Sequence, residues 1–406
     1  MNAAIYLSHP GVLSAVGDGL AATVAALLSP WPPQLSQSEA WVHGRNLPVG
    51  AVNQALRPFA PEVPPGLSSR NNQLLWHALA AVEPQIEAAK QRYGAARVAV
   101  VLGTSTSGVD ENIAAFQHVV GGGGWADSGF GQPHQLLSSP AEFVQWQYGL
   151  GGLAYVISTA CTSGARALIS AARLLRAGLA DAVVCGGVDC LSLLTVNGFA
   201  ALEVLSDDTA TPFASGRRGI NIGEAAAVFV ATREQAHPQD LCLLGYGASS
   251  DAWHMSSPRP DGAGAVQTLQ AALANAALHP HDIGWINLHG TGTELNDSME
   301  STAVAQCFGA ATQCTSTKPY TGHTLGAAGA LEAALVWGMA SRADNPNGQL
   351  PAQYLPAGYD AALPPLALTA SGSHWPAHRR IGLSTSFAFG GNNSALIIGE
   401  PAEDVC

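Results

Sequence analysis

Four short segments of this 406-residue chain gather the side chains that could do chemistry. In the first, Ile157-Ser-Thr-Ala-Cys-Thr-Ser-Gly-Ala-Arg166, an apolar strand ends in a run of small residues and a helix begins within a few positions of Cys161. A thiol at a helix N-terminus faces free backbone N–H groups and the positive end of the dipole, which favours thiolate. Small neighbours leave room for a substrate, and Gly164 avoids crowding the turn. A cysteine alone reads as a buried structural thiol; the strand–turn–helix setting makes Cys161 a candidate nucleophile.

The second segment is Asn287-Leu-His-Gly-Thr-Gly-Thr-Glu-Leu-Asn-Asp297. Its strand delivers His289 to a Gly/Thr-rich loop at a carboxyl end, where open α/β sheets place ligands. Gly290-Thr291-Gly292 lacks the third glycine of a dinucleotide fingerprint. The third, Lys318-Pro-Tyr-Thr-Gly-His-Thr-Leu-Gly-Ala-Ala-Gly-Ala-Leu-Glu332, sets one of only two lysines beside His323 at a helix start. A cation there opposes the helix dipole, so a purely stabilising role is unnatural. Gly326 and Gly329 permit close packing of that helix, which carries Glu332. The fourth, Ser384-Thr-Ser-Phe-Ala-Phe-Gly-Gly-Asn-Asn-Ser394, surrounds Phe387 and Phe389 with small residues. It reads either as an exposed backbone N–H or as a bulged turn into the last strand. The other histidines, including His279, His281, His374 and His378, form no metal-ligand spacing, so no metal is expected.

The elements that must position these segments are apolar throughout. Strands are expected over 97–102, 154–158, 181–187, 225–231, 283–290, 381–387 and 394–399, with a helix over 165–179 whose Arg166, Arg173 and Arg176 lie off the apolar face. Apolar strands alternating with helices predict an α/β fold with covered sheets. Gly223-Glu-Ala-Ala-Ala-Val-Phe-Val230 echoes Gly391-Asn-Asn-Ser-Ala-Leu-Ile-Ile398, a sign of duplication. The polar segment 232–240 marks the junction between halves 1–238 and 239–406. Pro-rich 30–33 and 61–65 and the run Gly121–Gly124 read as loops.

Charged residues make up only 11% of the chain, against 47% hydrophobic, which excludes disorder and coiled coil. A net charge of −12 argues against general nucleic-acid binding. No secretory signal and no apolar window long enough to span a bilayer is evident. The seven cysteines, 161, 185, 190, 242, 307, 314 and 406, form no CxxC pair, so reduced thiols in the cytoplasm are expected rather than disulfides.

Taken together, TACTSGA around Cys161, LHGTGTELND around His289, KPYTGHTLGAAGALEA around His323 and SFAFGGNN near the end resemble the β-ketoacyl-acyl-carrier-protein synthases of the elongating, Cys–His–His type. Weaker matches at 211–230 and 243–262 extend the resemblance over nearly the whole chain. It implies the thiolase fold, with two related α/β halves in five α-β-α-β-α layers, usually dimeric. It implies that Cys161 accepts an acyl group from acyl carrier protein, and that the N–H groups of Cys161 and Phe389 form an oxyanion hole. His289 and His323 would hold the malonyl thioester while CO₂ leaves, Lys318 and Glu332 would organise the site, and Phe389 would gate it. No metal or nicotinamide cofactor is implied.

The sequence departs from the family at Pro212-Phe213-Ala214, where Pro-Phe-Asp is usual, and at Gly223-Glu224-Ala225, where Gly-Glu-Gly is usual. Its 203–210 segment is acidic, and the early helix region offers only Arg70 to an acidic carrier. A dedicated carrier or a partner subunit follows, as in aryl-polyene or type II polyketide-like chain building, with homodimer and heterodimer both open. Thr106, within 104–108, is the residue expected to tune the acyl pocket. A non-catalytic chain-length factor would lack Cys161, and a thiolase would carry a second cysteine in the Phe389-Gly-Gly-Asn-Asn393 loop.

Overall fold

The computed structural model describes residues 4–376 and 379–401, so His378 and Cys406 lie outside it. Edge to edge, the main sheet runs Ala154–Ile157, Val98–Gly103, Ala182–Asp189, Ala225–Thr232, Ile5–Leu7, Leu241–Ser250, Asn392–Gly399, Ile381–Ala388, Trp285–Asn287, Gln313–Thr315 and Ala367–Leu368. The two ends mirror each other. Strands 154–157, 98–103 and 182–189 are parallel, and 225–232 returns antiparallel. Likewise 313–315, 285–287 and 381–388 are parallel, and 392–399 returns antiparallel. Ile5–Leu7 sits between 225–232 and 241–250 and joins the halves. The polar segment after Thr232 is the loop connecting 225–232 to 241–250.

The helices complete five layers. Arg70–Leu79, Glu83–Tyr93 and Ser139–Tyr148 cover the outer face of the first half, where Leu75, Ile86 and Phe143 meet Val98, Val100 and Val184. Ala263–Ala276 and Glu294–Phe308 cover the second, packing Leu269 and Val304 on Ile286 and Ile397. Between the halves lie Ser163–Arg176 and Ala328–Ala340, the latter buried at every position. A helix apolar all round is what such an enclosed layer requires.

Most expected elements are present with shifted ends. The 165–179 helix spans Ser163–Arg176, and Leu179 lies beyond it, exposed. The 283–290 run forms strand only over Trp285–Asn287, which leaves His289 free of the ladder. No helix among the described residues is long and apolar enough to cross a membrane.

Candidate active site

The nucleophile turn is built by local hydrogen bonds. Ser163 Oγ accepts from Thr159 N–H at 2.9 Å and donates to Ala160 O at 2.6 Å, while Thr162 Oγ1 donates to Thr159 O at 2.8 Å. Ala160 is held at φ 51°, a left-handed conformation that costs an L-residue about 1–2 kcal/mol. Such strain is held at sites where a side chain must be presented in one direction. Here it presents Cys161 at the start of helix Ser163–Arg176. Gly164 serves a different purpose from the one expected of it. A Cβ there would lie 2.7 Å from Ala330 N, so the glycine lets the two central helices touch.

His323 reaches the thiol, with Nε2 3.0 Å from Cys161 Sγ. The His323 backbone is fixed by bonds between its N–H and Asn221 O at 2.6 Å and between Gly223 N–H and its carbonyl at 2.9 Å. His289 stands edge-on to His323, ring centroids 5.2 Å apart. One ligand atom from each of Cys161, His289 and His323 falls within 4.8 Å of the others, a spacing that would also suit a metal ion.

Behind the imidazoles lies a buried cation. Lys318 pairs with Glu332 and donates to the His289 carbonyl, and its Nζ is 3.3 Å from His289 Nδ1. Burial, reinforced by Lys318, pushes both histidines well below their ordinary value, so both are neutral imidazoles at physiological pH. Burial pushes Glu332 up to about 7 against the pull of Lys318. The Cys161 thiol goes up to about 12, again through burial, with Lys318 opposing. Burial thus opposes the thiolate that a helix terminus favours, and the Cys161 thiol lies beside the His323 imidazole.

Two buried carboxylates that sequence reasoning passed over hold the loops in place. Glu300 accepts from His289 N–H at 2.8 Å, Gly290 N–H at 2.7 Å and Thr385 Oγ1 at 2.7 Å, and so orients the His289 loop. Asp189 accepts from Thr104 Oγ1 at 2.6 Å and Gly326 N–H at 2.6 Å, tying the 104–106 loop to the turn after His323. Thr106 is itself buried and bonds Asp189 at 3.1 Å. Helical i,i+3 spacing of Asp297 and Glu300 just past the His289 loop was the available signal. Asp297 accepts from Phe213 N–H at 2.8 Å, so the loop with Ala214 in place of Asp is held by this carboxylate.

Cys161, His289 and His323 open into a cavity of about 310 Å³ also lined by Phe387 and Phe389. Phe389 is partly exposed at its wall and packs on Phe199 with centroids 5.6 Å apart. Its loop is pinned by Gly390 N–H to Met255 O at 2.8 Å and Asn393 Nδ2 to Asp251 Oδ1 at 2.7 Å. Cys161, His289, His323 and Phe389 thus line one cavity with Lys318 and Glu332 behind it, whereas Thr106, expected to tune the acyl pocket, is not among the lining residues. Arg70 does not join them as a free surface cation: its guanidinium pairs with the buried Glu224.

Comparison with known proteins agrees with this arrangement. Residues 72–237 match the β-ketoacyl synthase N-terminal domain and 241–345 the C-terminal domain. The chain is 32% identical to nodulation protein E of Rhizobium meliloti (strain 1021), over 74% of this chain and 75% of that protein. It is 35% identical to 3-oxoacyl-[acyl-carrier-protein] synthase 2 of Vibrio harveyi, over 59% of this chain and 61% of that protein. The chain therefore spans between three fifths and three quarters of these curated relatives. Among solved structures, it superposes with TM-score 0.91 and 43% identity, over 98% of both chains, on a structure of a ketosynthase in complex with its chain length factor from Xenorhabdus doucetiae. With both domains matched in order around a cysteine and two histidines that share one cavity, the chain belongs to the β-ketoacyl synthase family.

Proposed function

We propose that this protein condenses a Cys161-bound acyl group with malonyl-acyl-carrier protein by decarboxylative Claisen chemistry. The observation that carries the reading is the meeting of one thiol and two neutral imidazoles within 4.8 Å at the floor of a cavity. Cys161 passes its proton to His323 and attacks the acyl thioester; the carrier thiol leaves with a proton, and acyl-Cys161 remains. Malonyl thioester then loses CO₂, and the electron pair of the broken bond enters an enolate whose oxygen accepts from His289 and His323. The enolate carbon attacks acyl-Cys161. The N–H groups of Cys161 and Phe389 hold the new oxyanion, which collapses to the β-ketoacyl-carrier product and expels the Cys161 thiolate, and the thiolate takes up a proton from water. Neutral imidazole donors suit this task, because they stabilise the enolate oxygen without protonating the carbon.

We assign the acyl substrates to specialised type II chain building, such as aryl polyenes, with a related ketosynthase-like subunit as partner. The 43% identical chain, which comes from a structure described as a ketosynthase in complex with its chain length factor, supports this. The free, mostly buried cysteines suit a reducing compartment such as the cytoplasm. Intact-mass spectrometry with acyl-carrier protein and then malonyl-carrier protein tests the reading. Wild type should gain an acyl adduct that malonyl-carrier protein discharges, and Cys161→Ala should gain none. Absence of any adduct on folded wild-type protein, with or without a co-expressed partner, would refute it.

A further inference from the structure

The site gathers one cysteine and two histidines, all metal-ligand side chains, although the proposed condensation needs no metal. Cysteine sulfur and two imidazole nitrogens, all within 4.8 Å of one another, are the donor set of a zinc site with one open position. All three groups are buried, and the cavity gives an entry path. A thiophilic dication captured there would displace the Cys161 proton, form an S–metal bond and silence the nucleophile. A group that opposed the capture would protect the nucleophile.

Lys318 is placed to do so. Its ammonium is a donor only, so at 3.3 Å His289 Nδ1 is the acceptor, and the single proton of the neutral ring sits on Nε2. Nδ1 is then taken by Lys318 and Nε2 by its own proton, which leaves His289 no lone pair for a metal. Moving the proton to Nδ1 would aim an N–H at an ammonium. The cation is held by Glu332 and the His289 carbonyl, with both Lys318 and Glu332 buried, so it cannot swing aside. Metal-ligating histidines ordinarily find a carboxylate or carbonyl acceptor behind them; here that position holds the opposite charge.

We propose that Cys161, His289 and His323 form a latent site for a thiophilic first-row dication, and that Lys318 keeps it closed by fixing the His289 tautomer. Lys318 is thus a positioning residue, and one contact serves two ends: the Nε2–H that serves as a donor is the nitrogen denied to metal. The inference uses no acyl donor or carrier, so its failure is distinguishable from failure of the condensation reading.

Cobalt(II) titration of the full chain, followed by its ligand-field and thiolate charge-transfer absorption, tests it. Lys318→Met should bind Co²⁺ on the order of 10–100-fold more tightly than wild type, the range that changes to the groups hydrogen-bonded behind metal-ligating histidines produce. The sulfur band should vanish in Lys318→Met/Cys161→Ala. Equal binding by wild type and Lys318→Met, or no sulfur band in a folded Lys318→Met, overturns the proposal. Where Lys318→Met does not fold, ¹⁵N NMR of the wild-type imidazoles decides: a protonated Nε2 and bare Nδ1 on His289 supports the proposal, and the reverse tautomer overturns it.

Discussion

Burial sets the resting charge of the nucleophile. Helix-start cysteines are commonly acidic, but Cys161 is enclosed, and its thiol is pushed up to about 12. Thiolate therefore forms only as His323, 3.0 Å away, takes the proton. Alkylation of the resting protein by iodoacetamide should be slow at neutral pH and climb about tenfold per pH unit, without a plateau by about pH 9. A plateau reached below neutrality would mean that the dipole and Lys318 outweigh desolvation. That Cys161, His289, Lys318 and His323 meet was legible in the sequence, because each stands in a distinctive run of small residues. Their protonation was not. Burial is a property of the assembled layers, and the same motif exposed to water would titrate differently.

At the scale of elements, the site is a crossing of two helices and a set of loops tied to buried acids. The turn holding Cys161 leads into helix Ser163–Arg176, and the Leu325–Ala327 turn after His323 leads into Ala328–Ala340, so the approach of the two helices sets the thiol–imidazole distance. Gly164→Ala would place a methyl 2.7 Å from Ala330 N and 3.0 Å from Gly326 O. Overpacking of this kind costs about 1–3 kcal/mol. Chemical denaturation should report that loss, together with a fall in turnover larger than the change in KM. An unchanged turnover in a destabilised variant would show that the crossing does not set the site.

The buried acids that hold the His289 loop make a separate prediction. Burial raises Asp297 from 3.8 to about 6 and Glu300 from 4.5 to about 7. Between about pH 4 and 7 the folded state then keeps protons that the unfolded chain has lost, so stability should fall as pH rises through that window and level off above it. Thermal melting should show this slope, and Glu300→Gln should flatten it while weakening the His289 loop. The sequence shows most of the apolar strands but conceals one that carries two glycines in mid-run. Leu241–Ser250 carries Gly245 and Gly247, which look like turn signals. They are there because a Cβ would strike Ala272 O at 2.6 Å and Thr268 O at 2.0 Å on the covering helix.

For the whole molecule, the unfinished feature is the sheet edge that leads to the nucleophile. Ala154–Ile157 closes one end of the sheet, is half-buried along its length, and follows Leu153, which is 49% exposed. Unpaired edges of this kind invite a further strand. Tyr155 on that edge bonds Ser170 at 2.5 Å, between Arg166 and Arg173 on the nucleophile helix. Arg166 bonds only backbone carbonyls, and Arg173 and Arg176 stack on Tyr246; among the described residues none of the three meets a carboxylate. In a chain of net charge −12 that stripe is out of keeping with its surroundings. A twofold pairing of two copies on this edge would bring each stripe toward its own image, whereas a related subunit bearing carboxylates would neutralise it. Self-association of the purified chain should therefore strengthen as salt rises from about 0.05 to about 0.5 M, since screening relieves the repulsion. Association with a ketosynthase-like partner should weaken over the same range. Leu153→Asp should abolish both, as read by sedimentation. Self-association that weakens with salt would place the charge complement on the chain itself and favour the homodimer.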